Sequence, residues 1–187
     1  MEKVINSKLL SWYRKNKRIL PWRQTQANKL PNPYFVFVSE YMLQQTTVGT
    51  VKNRFEEFIL KWPSINDLER ISEKTILKFW SGLGYYSRAR NLLKAAKIIK
   101  KEFNSKIPNN YDDLINLPGI GDYTTKAILG IAYNKSVMPL DANIERIVAR
   151  LYGLKLPIIK IKNDLRKKSE NFISKNSSSD LIQAFMD

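Results

Sequence analysis

Leu117-Pro118-Gly119-Ile120-Gly121-Asp122-Tyr123-Thr124-Thr125 places two glycines around one aliphatic residue, between a short helical pattern over 111–116 and a longer one over 122–133. Glycine and proline at this density make a tight turn. Such a turn opens backbone N–H groups at the start of the following helix, where their partial positive charge can hold a phosphate without a side chain. An isolated G-x-G is a plain helix-helix turn. The chain around this one carries 32 Lys plus Arg against 17 Asp plus Glu, a net charge of +15, and that balance favours the phosphate-binding helix-hairpin-helix reading. Contacts of this kind go to a nucleic-acid backbone; they position a protein and read no base sequence.

Outward from the turn, apolar spacing is helical nearly everywhere. From Ser87 onward Ala89, Leu92, Leu93, Ala96 and Ile99 make one stripe, and Arg88, Arg90, Lys94, Lys97 and Lys101 take the other faces, which predicts an amphipathic helix with a basic outside. Ile144, Ile147, Val148 and Leu151 form a similar stripe over 142–152, with Gly153 placed to end it. Further helices are predicted over 2–16, 34–47, 49–61, 73–81, 162–174 and 179–187. They are separated by Pro21, the prolines between Leu30 and Pro33, Trp62-Pro63, Gly82-Leu83-Gly84 and Pro108. No stretch alternates with period two for long enough to argue a sheet, so the expected class is all-α.

Composition narrows the chemistry. With no cysteine and no histidine, these residues hold no disulfide, zinc knuckle, thiol nucleophile, iron–sulfur ligand or imidazole base. Acid–base work near neutrality falls to carboxylates, Lys or Tyr. The apolar runs 34–38 and 127–133 are core-sized, well short of the roughly 18 residues a membrane span needs. MEKVINSKLL lacks the apolar stretch and cleavage site of a secretory leader, so no membrane association is expected.

Two carboxylates stand out. Asp141, in Pro139-Leu140-Asp141-Ala142-Asn143, immediately precedes a helix and reads as an ordinary N-cap. The backbone donors and helix dipole it would meet also favour its ionised form, as a stabiliser of a developing cation requires. Glu40 lies in Tyr34-Phe35-Val36-Phe37-Val38-Ser39-Glu40-Tyr41-Met42-Leu43. It is either a helix residue facing solvent or a group whose charged form is desolvated, which makes a proton donor near neutral pH. A neutral acid paired with an ionised carboxylate is the division of labour that cleaves a glycosidic bond through an oxocarbenium-like transition state. Gln44-Gln45-Thr46 offers amides able to donate and accept, suited to base edges or to filling a duplex from which a nucleotide has been extruded. Gln sits equally well on any helix surface.

Together these residues resemble the adenine DNA glycosylases of the endonuclease III superfamily. The resemblance runs through Leu20-Pro21-Trp22-Arg23, Val38 to Thr46, Gly82 to Leu92, Leu117 to Gly121 and Leu140 to Asn143, in family order and spacing. It implies the helix-hairpin-helix glycosylase fold: a six-helix barrel lobe over 30–135 with the hairpin at about 111–133, and a second helical lobe from 1–29 and 136–187. It also implies a monomeric hydrolase of the bacterial cytoplasm and nucleoid. This enzyme would remove adenine mispaired with guanine or 8-oxoguanine in double-stranded DNA and so start base excision repair. On the same resemblance Glu40 would protonate adenine N7 and later help activate water, and Asp141 would stabilise or trap the sugar cation. Tyr123 and Asn143 would hold the carboxylates. Arg23, Leu43 and Gln183 would line the adenine pocket, Gln45 and Tyr85 would wedge into the stack, and Gly119, Gly121 and Thr124 would meet the DNA backbone. Aromatic core is the competing place for Tyr85 and Tyr86, and is expected of at least one. Bifunctional relatives carry a Lys nucleophile where this chain has Tyr123, so a Schiff-base strand cut is not expected.

The chain departs from the family at Ala142, where most members have Gly, and at Phe185-Met186-Asp187. There the family continues toward four cysteines holding a 4Fe-4S cluster and a domain that reads 8-oxoguanine. An end inside a helical pattern reads as that of a fragment, so no cofactor is expected within these residues and the cluster only with a further cysteine segment. Two other functions stay open: a DNA-binding remnant without base release, and a glycosylase for thymine or uracil in mismatches.

Overall fold

The computed structural model describes residues 1–24 and 30–187. Among them eleven α-helices and two short 3-10 turns carry the fold, with no extended strand, in agreement with the all-α class. Packing divides the chain into two compact units. One comprises 1–19 with 122–187, the other 20–121. The first is built from α1 (Glu2–Asn16), α8 (Asp122–Tyr133), α9 (Ala142–Leu151), α10 (Lys162–Glu170) and α11 (Ser178–Met186). The second holds α2 (Pro33–Leu43), α3 (Val48–Lys61), α4 (Ile65–Glu69), α5 (Glu73–Trp80), α6 (Ser87–Glu102) and α7 (Tyr111–Ile115).

In unit 20–121 five of the six helices start where short polar side chains replace missing backbone partners, α6 being the exception. Asn32 accepts from the Tyr34 N–H with Pro33 at the first helical position; Thr47, Ser64, Ser72 and Asn110 do the same for α3, α4, α5 and α7. The centre is α2, in which Val36, Phe37, Val38, Tyr41 and Met42 are all but sealed from solvent. A helix apolar on every side belongs inside a core, and α3 and α6 pack against it. Phe58, Trp62 and Phe79 make an edge-to-face cluster with ring centroids 4.9 to 5.5 Å apart.

Three local readings change here. The helix predicted over 34–47 stops at Leu43, because Gln45 takes a left-handed backbone (φ 54°) and Thr47 caps the next helix. Helix α4 was not predicted; five residues are too few to display a period. Arg88, expected on the basic outer face of α6, is buried, as are Leu92, Ala95 and Ala96 of the same helix.

In the other unit α8 and α1 lie against α11, and α10 against α9. Gly130 lets the α8–α11 contact close: a Cβ there would stand 2.1 Å from Ile182 Cδ1. This packing groups α8 with the terminal segments, one helix earlier than the boundary expected at 135; residue 29, the expected end of the N-terminal segment, lies outside the described residues. Arg18 Nε meets Asp187 Oδ1 at 2.7 Å and the Tyr152 hydroxyl donates to Glu2 at 2.6 Å, tying the ends of the unit together. Helix α10 stops at Glu170 instead of continuing to 174. No helix among the described residues is long and apolar enough to cross a membrane.

Candidate functional site

Within unit 20–121, three turns gather around the C-terminal end of α2. The hairpin turn is closed by the Ile120 N–H to the Leu117 carbonyl at 3.1 Å, with Pro118 second and Gly119 third at φ +79°. That is the pattern of a type II turn, whose third position favours Gly. Space demands the glycine as well, because a Cβ at 119 would meet Asn91 Cβ at 2.9 Å and Tyr41 Cε1 at 3.1 Å. Gly121 has ordinary φ and open space around it. The Tyr41 hydroxyl donates to the Pro118 carbonyl at 2.5 Å and Gln44 Nε2 to the Gly119 carbonyl at 3.2 Å, so the turn is fastened to the end of α2. Burial pushes the Tyr41 phenol well above its ordinary pKa, which keeps that donor protonated.

The second turn is Gln44 to Thr46, and the third is Leu83 to Tyr86. Both are held by Arg88, a residue the sequence did not mark as functional. Its Nη1 donates to the Met42 carbonyl at 2.8 Å, to Thr46 Oγ1 at 3.0 Å and to the Gln44 carbonyl. Its Nη2 donates to the Leu83 carbonyl at 2.8 Å and the Gly84 carbonyl at 3.1 Å. Loss of hydration lowers the guanidinium's pKa, and an arginine side chain is not deprotonated in proteins. One signal was available: Arg88, Leu92, Ala95 and Ile99 fall on one helical face.

The expected wedge residues sit on these turns. Gln45 is exposed; Tyr85 has φ 46° and is 61% exposed, and Tyr86 is 43% exposed. The aromatic-core place expected for one of the two tyrosines is therefore wrong for both. Glu40 is on α2, 6% exposed between Ser39 and Tyr41, so the solvent-facing alternative does not hold. Leu43 ends α2, half-buried, and Arg23 ends a 3-10 turn, Pro21–Arg23, also half-buried.

In the other unit, Asp141 caps α9. Its Oδ1 accepts from the Ile144 N–H at 2.8 Å, and its Oδ2 accepts from Asn143 Nδ2 at 3.3 Å. Asn143 Oδ1 in turn accepts from Arg146 at 2.9 Å. Ala142 opens the helix on the surface, so its methyl fits there without crowding. Tyr123 is half-buried in the first turn of α8. Two further expected contact residues are buried. Thr124, expected to meet DNA, is 4% exposed and faces the core; Gln183, expected in a base pocket, is 3% exposed and spends its amide N–H on the Ser179 carbonyl and hydroxyl, both at 3.1 Å. A 4Fe-4S cluster does not fit: the chain has no cysteine, and the described residues hold no group of three or more His, Cys, Asp or Glu able to bind a metal.

The sequence profile described as HhH-GPD superfamily base excision DNA repair protein matches residues 38–174. An adenine DNA glycosylase of Buchnera aphidicola subsp. Baizongia pistaciae is 40% identical over 185 residues, covering 98% of this chain and 51% of that protein. The human adenine DNA glycosylase is 40% identical over 150 residues, 78% of this chain and 28% of that protein. The chain thus spans about half the length, or less, of the curated relatives it matches. Among solved structures, a thermostable thymine-DNA glycosylase is similar with a TM-score of 0.85 and 26% identity, covering 99% of this chain and 84% of that one. An endonuclease III in a non-covalent DNA complex shares the fold, with a TM-score of 0.76 at 18% identity, covering 100% of this chain and 84% of that one.

Proposed function

Because this chain belongs to the HhH-GPD superfamily of base excision DNA repair proteins, we propose that it is the core of a monofunctional adenine DNA glycosylase. Its substrate is adenine mispaired with guanine or 8-oxoguanine in duplex DNA, on which it acts as a monomer at the bacterial nucleoid. The observation that carries the reading is the 40% identity across 98% of the chain to a protein named adenine DNA glycosylase. The carboxylates support it from their surroundings: Glu40 is buried in an apolar helix, and Asp141 accepts from two N–H donors at a helix N-terminus.

The chemistry then runs in three steps. Glu40 protonates adenine N7, and the glycosidic electron pair leaves with the base. Asp141 stabilises the oxocarbenium ion left on the sugar. Water, giving its proton to the Glu40 carboxylate, adds to C1′. Tyr123 offers no amine for a Schiff base, so the product is an intact strand with an abasic site.

Single-turnover release from A:G and A:8-oxoguanine duplexes tests this. Glu40→Gln should lower the rate about 10² to 10⁴-fold while duplex binding stays within a factor of about two. Binding that persists in the native chain without base release at any protein excess would leave only the DNA-binding remnant. The similarity to a thymine-DNA glycosylase favours a second reading, thymine release from T:G; a T:G duplex in the same assay separates the two.

A further inference from the structure

Among the described residues Arg88 is a buried arginine, 5% exposed, whose polar contacts go to backbone carbonyls and one hydroxyl. A buried guanidinium without a carboxylate is costly unless its donors are matched by geometry. Here the match is divided by nitrogen. Nη1 serves the end of α2 and the turn after it, through the carbonyls of Tyr41, Met42 and Gln44 and the hydroxyl of Thr46. Nη2 serves the 83–84 turn. Among the described residues Nε has no partner, so the planar fork is spent on the two turns. The guanidinium carbon also lies 5.5 Å from the Tyr85 ring centroid and 5.7 Å from that of Trp80.

Both gripped turns carry a strained residue directly after a gripped carbonyl. Gln45, after Gln44, has φ 54°, and Tyr85, after Gly84, has φ 46°. A left-handed backbone is disfavoured for a residue with a Cβ, and it persists where the surroundings over-determine it. Neither side chain is repaid by burial, since both are exposed. Strain held at exposed positions by a buried charge points to preorganisation of a surface for something outside the chain.

We propose that Arg88 is a positioning residue that clamps the 44–46 and 83–86 turns into one rigid element, so that Gln45 and Tyr85 enter the base stack together when a mispaired nucleotide is extruded. The proposal rests on the glycosylase reading for its substrate, and its test is independent of the chemical step. Lysine keeps the charge at this position but has no fork to reach both turns.

The test uses an A:G duplex with 2-aminopurine beside the mispaired adenine, whose fluorescence rises when the stack is wedged open. In Arg88→Lys the rate of that rise should fall about ten-fold or more, the scale expected when hydrogen bonds to a charged group are lost. Affinity for a fully paired duplex, its salt dependence and the thermal midpoint should stay close to those of the native chain. Thr46→Val, which removes one acceptor and keeps the shape, should lose a smaller factor in the same direction, and it decides the matter if Arg88→Lys does not fold. Native-like fluorescence in both variants overturns the clamp. So does a loss matched by an equal loss of paired-duplex binding, since that is a merely structural role. A native chain that opens the stack but releases no adenine leaves the clamp standing and overturns the glycosylase reading; one that does neither overturns both.

Discussion

Replacing Gly119 by Ala tests whether the hairpin turn is fixed by both backbone conformation and close approach. Gly119 sits at φ +79°, and a Cβ there would be 2.9 Å from Asn91 Cβ, an atom that cannot swing away because it is bonded to the backbone of α6. The left-handed conformation costs a residue with a Cβ about 1–2 kcal/mol, and forcing a methyl into filled space costs about 1–3 kcal/mol more. The sum is a loss of about 2–5 kcal/mol, or a thermal midpoint lower by about 2–4 °C for each kcal/mol in a chain of this length. Gly84→Ala and Gly153→Ala supply the comparison: both have positive φ, +69° and +61°, but nothing within 4 Å of the added methyl. They should lose only the conformational part, about 1–2 kcal/mol. Equilibrium urea unfolding followed by tryptophan fluorescence, with Trp22 and Trp80 both buried reporters, measures all three. If Gly119→Ala matches the two controls to within about 0.5 kcal/mol, the contact with Asn91 and Tyr41 contributes nothing and the spatial half of the reasoning is wrong.

Two further outcomes follow from the packing. Phe58→Ala, at a fully buried ring touching Trp62 and Phe79, should cost about 3–5 kcal/mol in urea unfolding, whereas Leu60→Ala, 84% exposed on the same helix, should stay within about 0.5 kcal/mol; equal effects would contradict the assigned core. Burial raises the phenol pKa of Tyr34, Tyr41 and Tyr133, the last to about 12. Below about pH 10 both states keep these protons and the stabilisation is complete. Above it the unfolded chain ionises first, so stability should fall by about 1.4 kcal/mol per pH unit for each tyrosine, until the folded pKa is reached. Tyr41→Phe should make that alkaline slope shallower, and an unchanged slope would refute the burial argument.

Helix positions were readable from the sequence because their causes act within a turn or two: apolar spacing over 87–99, the cap at Asp141, and the Pro-Gly turn at 118–119. The limits of that reading are equally local. Helix α4 spans five residues and shows no period, and α2 was drawn too long because nothing in Gln44-Gln45-Thr46 announces a left-handed residue. The candidate carboxylates were found as residue types in context, and their burial and capping agree with that context. The burial of Thr124 and Gln183 was not legible, because exposure depends on neighbours far away along the chain.

By itself, then, the sequence determined the all-helical class, the hairpin turn, the basic balance and the lack of any thiol or imidazole chemistry, since each follows from composition or from interactions a few residues long. Only the tertiary structure decided that Arg88 is interior, that Tyr85 and Tyr86 are outside and that Gln183 is sealed. The acceptors for Arg88 at Met42 and Gln44 lie 46 and 44 residues away. The helical period sets Arg88 on the face of Leu92, Ala95 and Ile99, but it cannot report how the cost of burying its charge is met across that distance, because desolvation is set by everything that surrounds a group in space and not by its neighbours in the chain.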